Sequence, residues 1–405
     1  MAVRVAVMLT GLGRLDDPDR YLALARSMAK GGGFALDGRP TAYRPPLYPI
    51  LLTPLVATLG RGALPWGVGG LHLALGAGMV LLIVRTATQW GLSPARALAA
   101  GGIAAFDPVL LVQSRAIMTE TPAAFLVAAT LAALTIPGAR GALLGGIGLG
   151  LASLCRPSLL PAAGLAALAG MIAGPGNRRS RAARGLLLIA AAATTLAPWA
   201  WRNTRVFGEP VWTTTHGGYT LALANNPAYY ADVLDGPPGA VWSGPNQDEW
   251  FAEVRRSTAD MTEIEADRTL RTSALRILRE RPATFLRASV ARLGRFWGLA
   301  PSGAVYPWPL RAASTAWTAP LWVALALGLI SGRVRAWPAI AAPSVVIALT
   351  AVHLAYWTDL RMRAPIVPAI ALIAACATIP GRPDRPAGGP SDDSRRIQST
   401  DYLEA

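Results

Sequence analysis

Charge is scarce in this chain. Only 15% of its 405 residues are Asp, Glu, Lys or Arg, against roughly 25% in a soluble domain. The deficit falls in long uncharged blocks, 53% of the residues are hydrophobic, and mean hydropathy is +0.37. A water-soluble globule is excluded and multiple membrane spans are expected. Lysine is almost missing, with Lys30 the single one among 38 basic residues. The two cysteines, Cys155 and Cys376, lie inside apolar runs, which excludes a disulfide framework and a cysteine metal site. No Walker loop, dinucleotide fingerprint, HExxH or GxSxG occurs, so a soluble-nucleotide pocket has no support. The formal charge of +15 would suggest nucleic acid in a soluble protein. Here the arginines sit at the ends of apolar runs and read as topology signals and lipid-phosphate contacts, with no nucleic-acid partner.

What is present is a series of apolar runs at 64–84, 97–114, 121–137, 141–155, 157–174, 185–201, 316–331, 337–356 and 364–379. A span takes about 20 residues, and several of these are short and rich in Gly, Ala and Pro, as in helices that pack closely in a bundle. The expected fold is an all-α polytopic membrane protein with roughly nine to eleven spans. Outer-face helices should lie beside the bundle. The run 47–59, broken by Pro49 and Pro54, reads as a short helix at or dipping into the membrane surface. Residues 2–13 are apolar but rise only ~18 Å, so 1–15 is expected to be a short or truncated first apolar segment. It lacks the ordered features of a signal peptide.

Short-loop arginines set the orientation. Arg85 and Arg96, Arg140, Arg178 to Arg184, Arg333 and Arg335, and Arg382 and Arg385 all fall on one side, the cytoplasm. The first loop (16–63), residues 115–120, the segment 202–315 and residues 357–363 then fall on the outer face. The bundle proper comprises 64–201 and 316–379, and the Pro-, Gly- and Ser-rich tail 380–405 is expected to be disordered. Within 202–315, the stretch of roughly 225–250 reads as loop, from Asn225-Asn226-Pro227 and Gly236-Pro237-Pro238-Gly239. Thr262-x-x-Glu265 reads as a capping box opening a helix to about Arg281. An aromatic- and arginine-rich helix, about 283–298, suits a membrane interface.

Every polar cluster lands on the outer side. Asp16, Asp17 and Asp19, with Tyr21, offer a general base or metal-holding carboxylate. They equally suit the start of the helix that follows, and spacing alone favours that reading. Tyr43-Arg44-Pro45-Pro46 offers a stiffly held guanidinium for phosphate, or a turn into an interfacial helix. Glu120, in Met118-Thr119-Glu120-Thr121, is a second acid or a solvated helix start. Arg202 offers a phosphate contact. His216 offers acid/base or metal chemistry, although a lone His is more often structural. Asp359, Arg361 and Arg363 form a dense polar run between two spans, where Asp359 pins an arginine whose other face meets ligand. Together a carboxylate and a phosphate-binding arginine suit a sugar phosphate.

These groups, in this order, resemble the polytopic GT-C glycosyltransferases, specifically bacterial members of the protein mannosyltransferase and aminoarabinose-transferase-like superfamily (family 39 type). The resemblance rests on Asp17-x-x-x-Tyr21, Gly31 to Phe34, Pro40 to Pro49, Met118-Thr119-Glu120, Arg156-Pro157, Pro198-Trp199 with Arg202-Asn203, Gly217-Gly218-Tyr219 with Asn225-Asn226-Pro227, and Asp359-x-Arg361-x-Arg363. It implies a polyprenyl-phosphate sugar as donor and an acceptor (lipid, glycan or protein) on the outer face of the plasma membrane. Carried over by position, Asp17 is the catalytic acid of the first loop and Glu120 a second acidic position. Arg44, Arg202, Arg361 and Arg363 contact donor phosphate, while Asp16, Tyr21, Tyr43, His216 and Asp359 support them. Asp17 would take the acceptor's proton, and one displacement at the anomeric carbon would invert it. No cofactor is required; a divalent ion between Asp17 and Glu120 is compatible with the chemistry. A transporter or lipid flippase would place charge near mid-membrane and often show an internal repeat, neither of which the sequence displays. A non-catalytic homologue is the remaining class.

Overall fold

The computed structural model describes residues 2–9, 17–237, 240–301 and 306–377. Asp16 and the tail 380–405 lie outside the described residues. The chain opens with α1 (Ala2–Leu9) and α2 (Tyr21–Ala29), then a two-residue-per-strand hairpin of β1 (Ala35–Leu36) and β2 (Arg39–Pro40), and α3 (Leu47–Thr58). The first bundle block is α4 (Leu64–Gln89), α5 (Pro94–Phe106), α6 (Pro108–Gln113), α7 (Glu120–Leu134), α8 (Gly138–Cys155), α9 (Leu160–Ala173) and α10 (Arg178–Phe207). Five helices follow outside the bundle: α11 (Gly217–Ala224), α12 (Pro227–Val233), α13 (Pro245–Ser257), α14 (Glu263–Glu280) and α15 (Pro282–Phe296). The chain then returns through α16 (Trp308–Ile330), α17 (Gly332–Arg335), α18 (Ala341–Ala355), a 3-10 segment Leu360–Ile366 and α19 (Val367–Ala375).

Each expected apolar run falls on helix. Four helices, α4, α8, α10 and α16, are long and apolar enough to cross a membrane. Their outward faces are apolar: Leu81, Leu186 and Val323 are each more than 60% exposed, as suits side chains that meet lipid rather than water. The bundle has two distinct ends. At one, Thr135 donates to Gln89 (2.6 Å) and Arg333 Nη1 donates to the Trp90 carbonyl (2.6 Å). These are the ends with the short-loop arginines. At the other, the start of α7, the ends of α8, α10 and α18, and the 3-10 segment converge.

Three expectations need correction. The run 97–114 is two helices, because Pro108 has no N–H to continue α5 and Asp107 instead caps α6, accepting from Leu110 N at 2.9 Å. The stretch 225–250 is not simply loop. Asn226 accepts from Tyr229 N at 2.7 Å and Pro227 takes the first helical position, so the Asn-Pro pair starts α12 rather than a turn. The run 47–59 is not broken. Pro49 lies in the first turn of α3, Pro54 is carried inside it, and the helix packs on α2 and α4.

Small residues let helices approach closely. A Cβ added at Gly146 would collide with the Leu188 carbonyl of α10 and lie 2.7 Å from Ala191 Cβ, whereas nothing lies within 4 Å of one at Gly164. Gly146→Leu is expected to destabilise the bundle by about 1–3 kcal/mol or more, seen as a lower unfolding temperature in detergent. Gly164→Leu, its exposed counterpart, is expected to leave that temperature within a degree or two.

Candidate active site

The first loop separates its acids. Asp17 caps α2, its oxygens accepting from Tyr21 N (2.7 Å) and Leu22 N (2.9 Å). Burial holds its carboxyl above the usual range, and the two backbone amides offset this in part. Arg20 takes a left-handed conformation (φ 60°), and this turn sends Asp19 elsewhere. Asp19 Oδ1 lies 2.8 Å from Arg44 Nη2. Arg20 itself reaches Asp37 with both Nη groups (2.9 and 2.7 Å), a solvent-exposed fork across to the hairpin turn. That turn is Asp37-Gly38, with φ of 52° and 77°, the paired positive values of a tight two-residue hairpin.

Arg44 is held from below and behind. Arg202 is taken up by backbone carbonyls and aromatic rings. It donates to the Phe34 and Thr41 carbonyls (2.8 Å each) and lies over the Phe34, Trp199 and Phe207 rings. The Thr262/Glu265 capping box forms as expected and starts α14 at Glu263. Glu263 then accepts from Thr41 Oγ1 (2.6 Å), Ala42 N (2.8 Å) and Thr215 Oγ1. One carboxylate thereby ties the first loop to the outer segment. Arg44 Nη1 lies 3.4 Å from His216 Nε2, and the His216 ring meets Tyr43 edge-on (4.3 Å) and stacks on Tyr219 (5.1 Å). Removal from solvent, with Arg44 beside it, pushes the His216 pKa down to about 3. His216 is a neutral imidazole at physiological pH.

The bundle supplies the opposite wall. Glu120, the first residue of α7, is fully buried. Arg156, just past the end of α8, lies 3.0 Å from Glu120 Oε1. The pair is close in distance but not aligned as a hydrogen bond, and neither Glu120 oxygen has a hydrogen-bond partner. Arg156 Nη1 instead donates to Thr119 Oγ1 at 3.2 Å. From the 3-10 segment, Arg361 is held at Nε by Asp359 Oδ2 (3.2 Å). Arg363 points the other way, donating to the Phe296 (3.4 Å) and Gly298 (2.6 Å) carbonyls and lying over Trp322.

These walls enclose one cavity of about 660 Å³. Of the residues expected at the site, Tyr21, Tyr43, Arg44, Glu120, His216 and Arg361 line it, while Asp17, Arg202, Asp359 and Arg363 do not. Asp19, a member of the first-loop acid cluster that the sequence did not single out, is the acid of that loop that faces inward. Two charged or imidazole side chains that sequence reasoning had not placed there line the cavity as well: Arg271 from α14 and His353 from α18. Arg156, quoted for its Arg-Pro pair but given no role, is a third. Its position just before a proline at an outer span end was the available signal; Arg271 offered none. Each cavity arginine has a carboxylate partner: Arg44 with Asp19, Arg156 with Glu120, Arg271 with Asp267, Arg361 with Asp359. Asp19 and Glu120 face the cavity, whereas Asp267 and Asp359 sit behind their arginines. The chamber therefore presents two carboxylates and two backed guanidiniums, a set suited to proton abstraction beside an anionic group. The carboxylates proposed for a divalent ion do not meet there, since Asp17 is spent on backbone amides and Glu120 faces Arg156. Among the described residues no cluster of three metal-ligating side chains occurs.

Comparison with known proteins agrees with this architecture. Residues 61–168 match the family model of the dolichyl-phosphate-mannose-protein mannosyltransferases. Over 93% of its length the chain is similar to the archaeal oligosaccharyltransferase AglB from Archaeoglobus fulgidus, solved with an inhibitory peptide and a dolichol-phosphate, with a TM-score of 0.51 at 14% identity. That likeness covers 49% of AglB, so the chain spans about half the length of that relative. ArnT from Cupriavidus metallidurans, solved with undecaprenyl phosphate, aligns over 92% of this chain and 76% of its own at 15% identity and a TM-score of 0.44. No curated protein matches the chain. With nine apolar runs folded as helices and a polar chamber at one end, the chain has the all-α, multi-pass membrane fold of the GT-C glycosyltransferases.

Proposed function

We propose that this protein moves a sugar from a polyprenyl-phosphate carrier to an acceptor on the outer face of the plasma membrane. The observation that carries the reading is the chamber at the end of the bundle away from the short-loop arginines, where Asp19 and Glu120 face backed arginines. The family match over 61–168, which includes Glu120 and Arg156, supports it. So does the fold shared with AglB, whose structure holds a dolichol-phosphate. The distribution of loop arginines supports the outer-face placement.

In this mechanism the free oxygen of Asp19 takes the proton of the acceptor hydroxyl or amine while Arg44 fixes the other oxygen. The acceptor atom bonds to the anomeric carbon as the bond from that carbon to the phosphate oxygen breaks. The leaving carrier phosphate takes the bonding electron pair, and Arg361 stabilises the charge that develops on it. One displacement inverts the anomeric centre. Asp17 supports Asp19 by fixing the start of α2.

The test is carrier binding and transfer by the full chain in membranes, with radiolabelled undecaprenyl-phosphate sugars as donors. Arg361→Gln is expected to weaken binding of undecaprenyl phosphate by roughly 10–100-fold, the range of a lost charged hydrogen bond. Arg363→Gln is expected to lower stability without changing carrier affinity in the folded fraction. A wild-type protein that is well folded yet binds no carrier and transfers no label overturns the reading.

A further inference from the structure

Two buried groups in the chamber accept no hydrogen bond, although one of them has a counter-charge beside it. Both oxygens of Glu120, at 0% exposure, lack a hydrogen bond, and so does His353 Nε2, at 4% exposure. Both side chains line the same cavity, and so does Arg156, which lies 3.0 Å from Glu120 Oε1. The tautomer of His353 follows from its other nitrogen. Nδ1 lies 3.2 Å from the Trp357 carbonyl and 3.1 Å from Thr358 Oγ1. A carbonyl only accepts, so Nδ1 carries the hydrogen and Nε2 presents a lone pair. Thr358 agrees with this, since its hydroxyl donates to the His353 and Tyr356 carbonyls and keeps a lone pair for Nδ1. The imidazole is fixed from behind by stacking on Phe296 at 5.2 Å.

Buried polar groups are rarely left unsatisfied, and each one in a native fold calls for an explanation. Here the explanation must supply hydrogen-bond donors. A phosphate offers acceptors only and suits the arginines, so it does not complete these two groups. A polyhydroxy or amino sugar offers several O–H or N–H donors. We propose that Glu120 and His353 form the subsite that reads donor groups of the transferred sugar, with Arg156 available to a sugar oxygen between them. The proposal rests on the transferase reading above and adds to it which part of the chamber holds the sugar rather than the carrier phosphate. A site built to hydrogen-bond a substrate group rejects analogues lacking that group far better than an apolar pocket rejects a missing methylene. These two residues then set which sugar is accepted.

The test measures affinity of the full chain in lipid nanodiscs for bare undecaprenyl phosphate and for carriers bearing mannose, glucose or 4-amino-arabinose. His353→Asn keeps an amide N–H at the Nδ1 position for the Trp357 carbonyl and deletes the atom at Nε2. His353→Gln restores a polar atom near Nε2. For the sugar the wild type binds best, His353→Asn is expected to cut the preference over bare carrier by roughly tenfold, one lost hydrogen bond, with bare-carrier affinity unchanged. His353→Gln is expected to recover part of that preference. The proposal is overturned if His353→Asn keeps the wild-type preference, if it weakens bare and glycosylated carriers equally, or if wild type prefers no sugar. Absence of any carrier binding by wild type removes the transferase reading as well, so the two failures are distinguishable.

Discussion

Asp19→Asn lowers sugar transfer by roughly 10²–10⁴-fold, the usual contribution of a positioned general base, while carrier binding stays close to wild type. The substitution keeps the shape of the side chain and an oxygen for Arg44, so folding is preserved and the loss lies in kcat. Asp17→Asn is the contrasting variant. It disturbs the cap of α2, where Tyr21 and Leu22 amides now meet two carboxylate oxygens. It is expected to cost about 1 kcal/mol of stability and only a few-fold in transfer. The measurement is label transfer from radiolabelled polyprenyl-phosphate sugars in membranes, normalised to folded protein by detergent gel filtration. Full transfer by Asp19→Asn, or its abolition by Asp17→Asn alone, returns the base role to Asp17.

Arg156→Ala produces the largest loss of stability, about 3–5 kcal/mol, because it strands the fully buried Glu120 carboxylate without its counter-charge. The reverse change, Glu120→Ala, is milder, since the Arg156 guanidinium borders the chamber and can draw on water there. A double variant, Glu120→Leu with Arg156→Met, is expected to regain most of the lost stability, as apolar replacements of buried pairs often do, and to remain inactive. Thermal unfolding of the three variants in one detergent decides this. A double variant no more stable than Arg156→Ala would show that the pair acts through packing rather than charge.

The bundle was legible in the sequence because length and hydropathy decide it locally. Every apolar run became helix, and the Thr262–Glu265 box started α14 as its spacing required. Misread positions were those where one local signal serves two structures. Asn226-Pro227 is both a turn pair and an N-cap with a first-position proline, and Asp107-Pro108 likewise split a run that hydropathy alone joined. The Asp37-Gly38 hairpin was overlooked, although its turn pair is a direct signal. The site was legible as a set of elements that gather at one end of the bundle but not as a set of side chains. Asp17 and Asp19 lie two residues apart, and only the left-handed turn at Arg20 decides which one caps α2 and which meets Arg44. Likewise Arg361 and Arg363 sit on one short 3-10 segment with opposite destinations. Periodicity and composition carry no information about such choices, because they depend on carbonyls from distant segments, such as Phe296 and Gly298 for Arg363 and Phe34 and Thr41 for Arg202.

The carboxylate of Glu263, shared between Thr41, Ala42 and Thr215, also sets a schedule for biogenesis. The loop bearing Asp19 and Arg44 leaves the ribosome well before the residue that clamps it, since Glu263 lies 222 residues beyond Thr41 and 221 beyond Ala42. At the usual rate of synthesis this is a delay on the order of 10–50 s. During that interval most of the bundle can insert while the chamber has only one wall. A nascent chain therefore reaches the membrane long before it can hold a substrate: α14 closes the first-loop side of the chamber, and the opposite side waits for His353 and Arg361, later still in the chain.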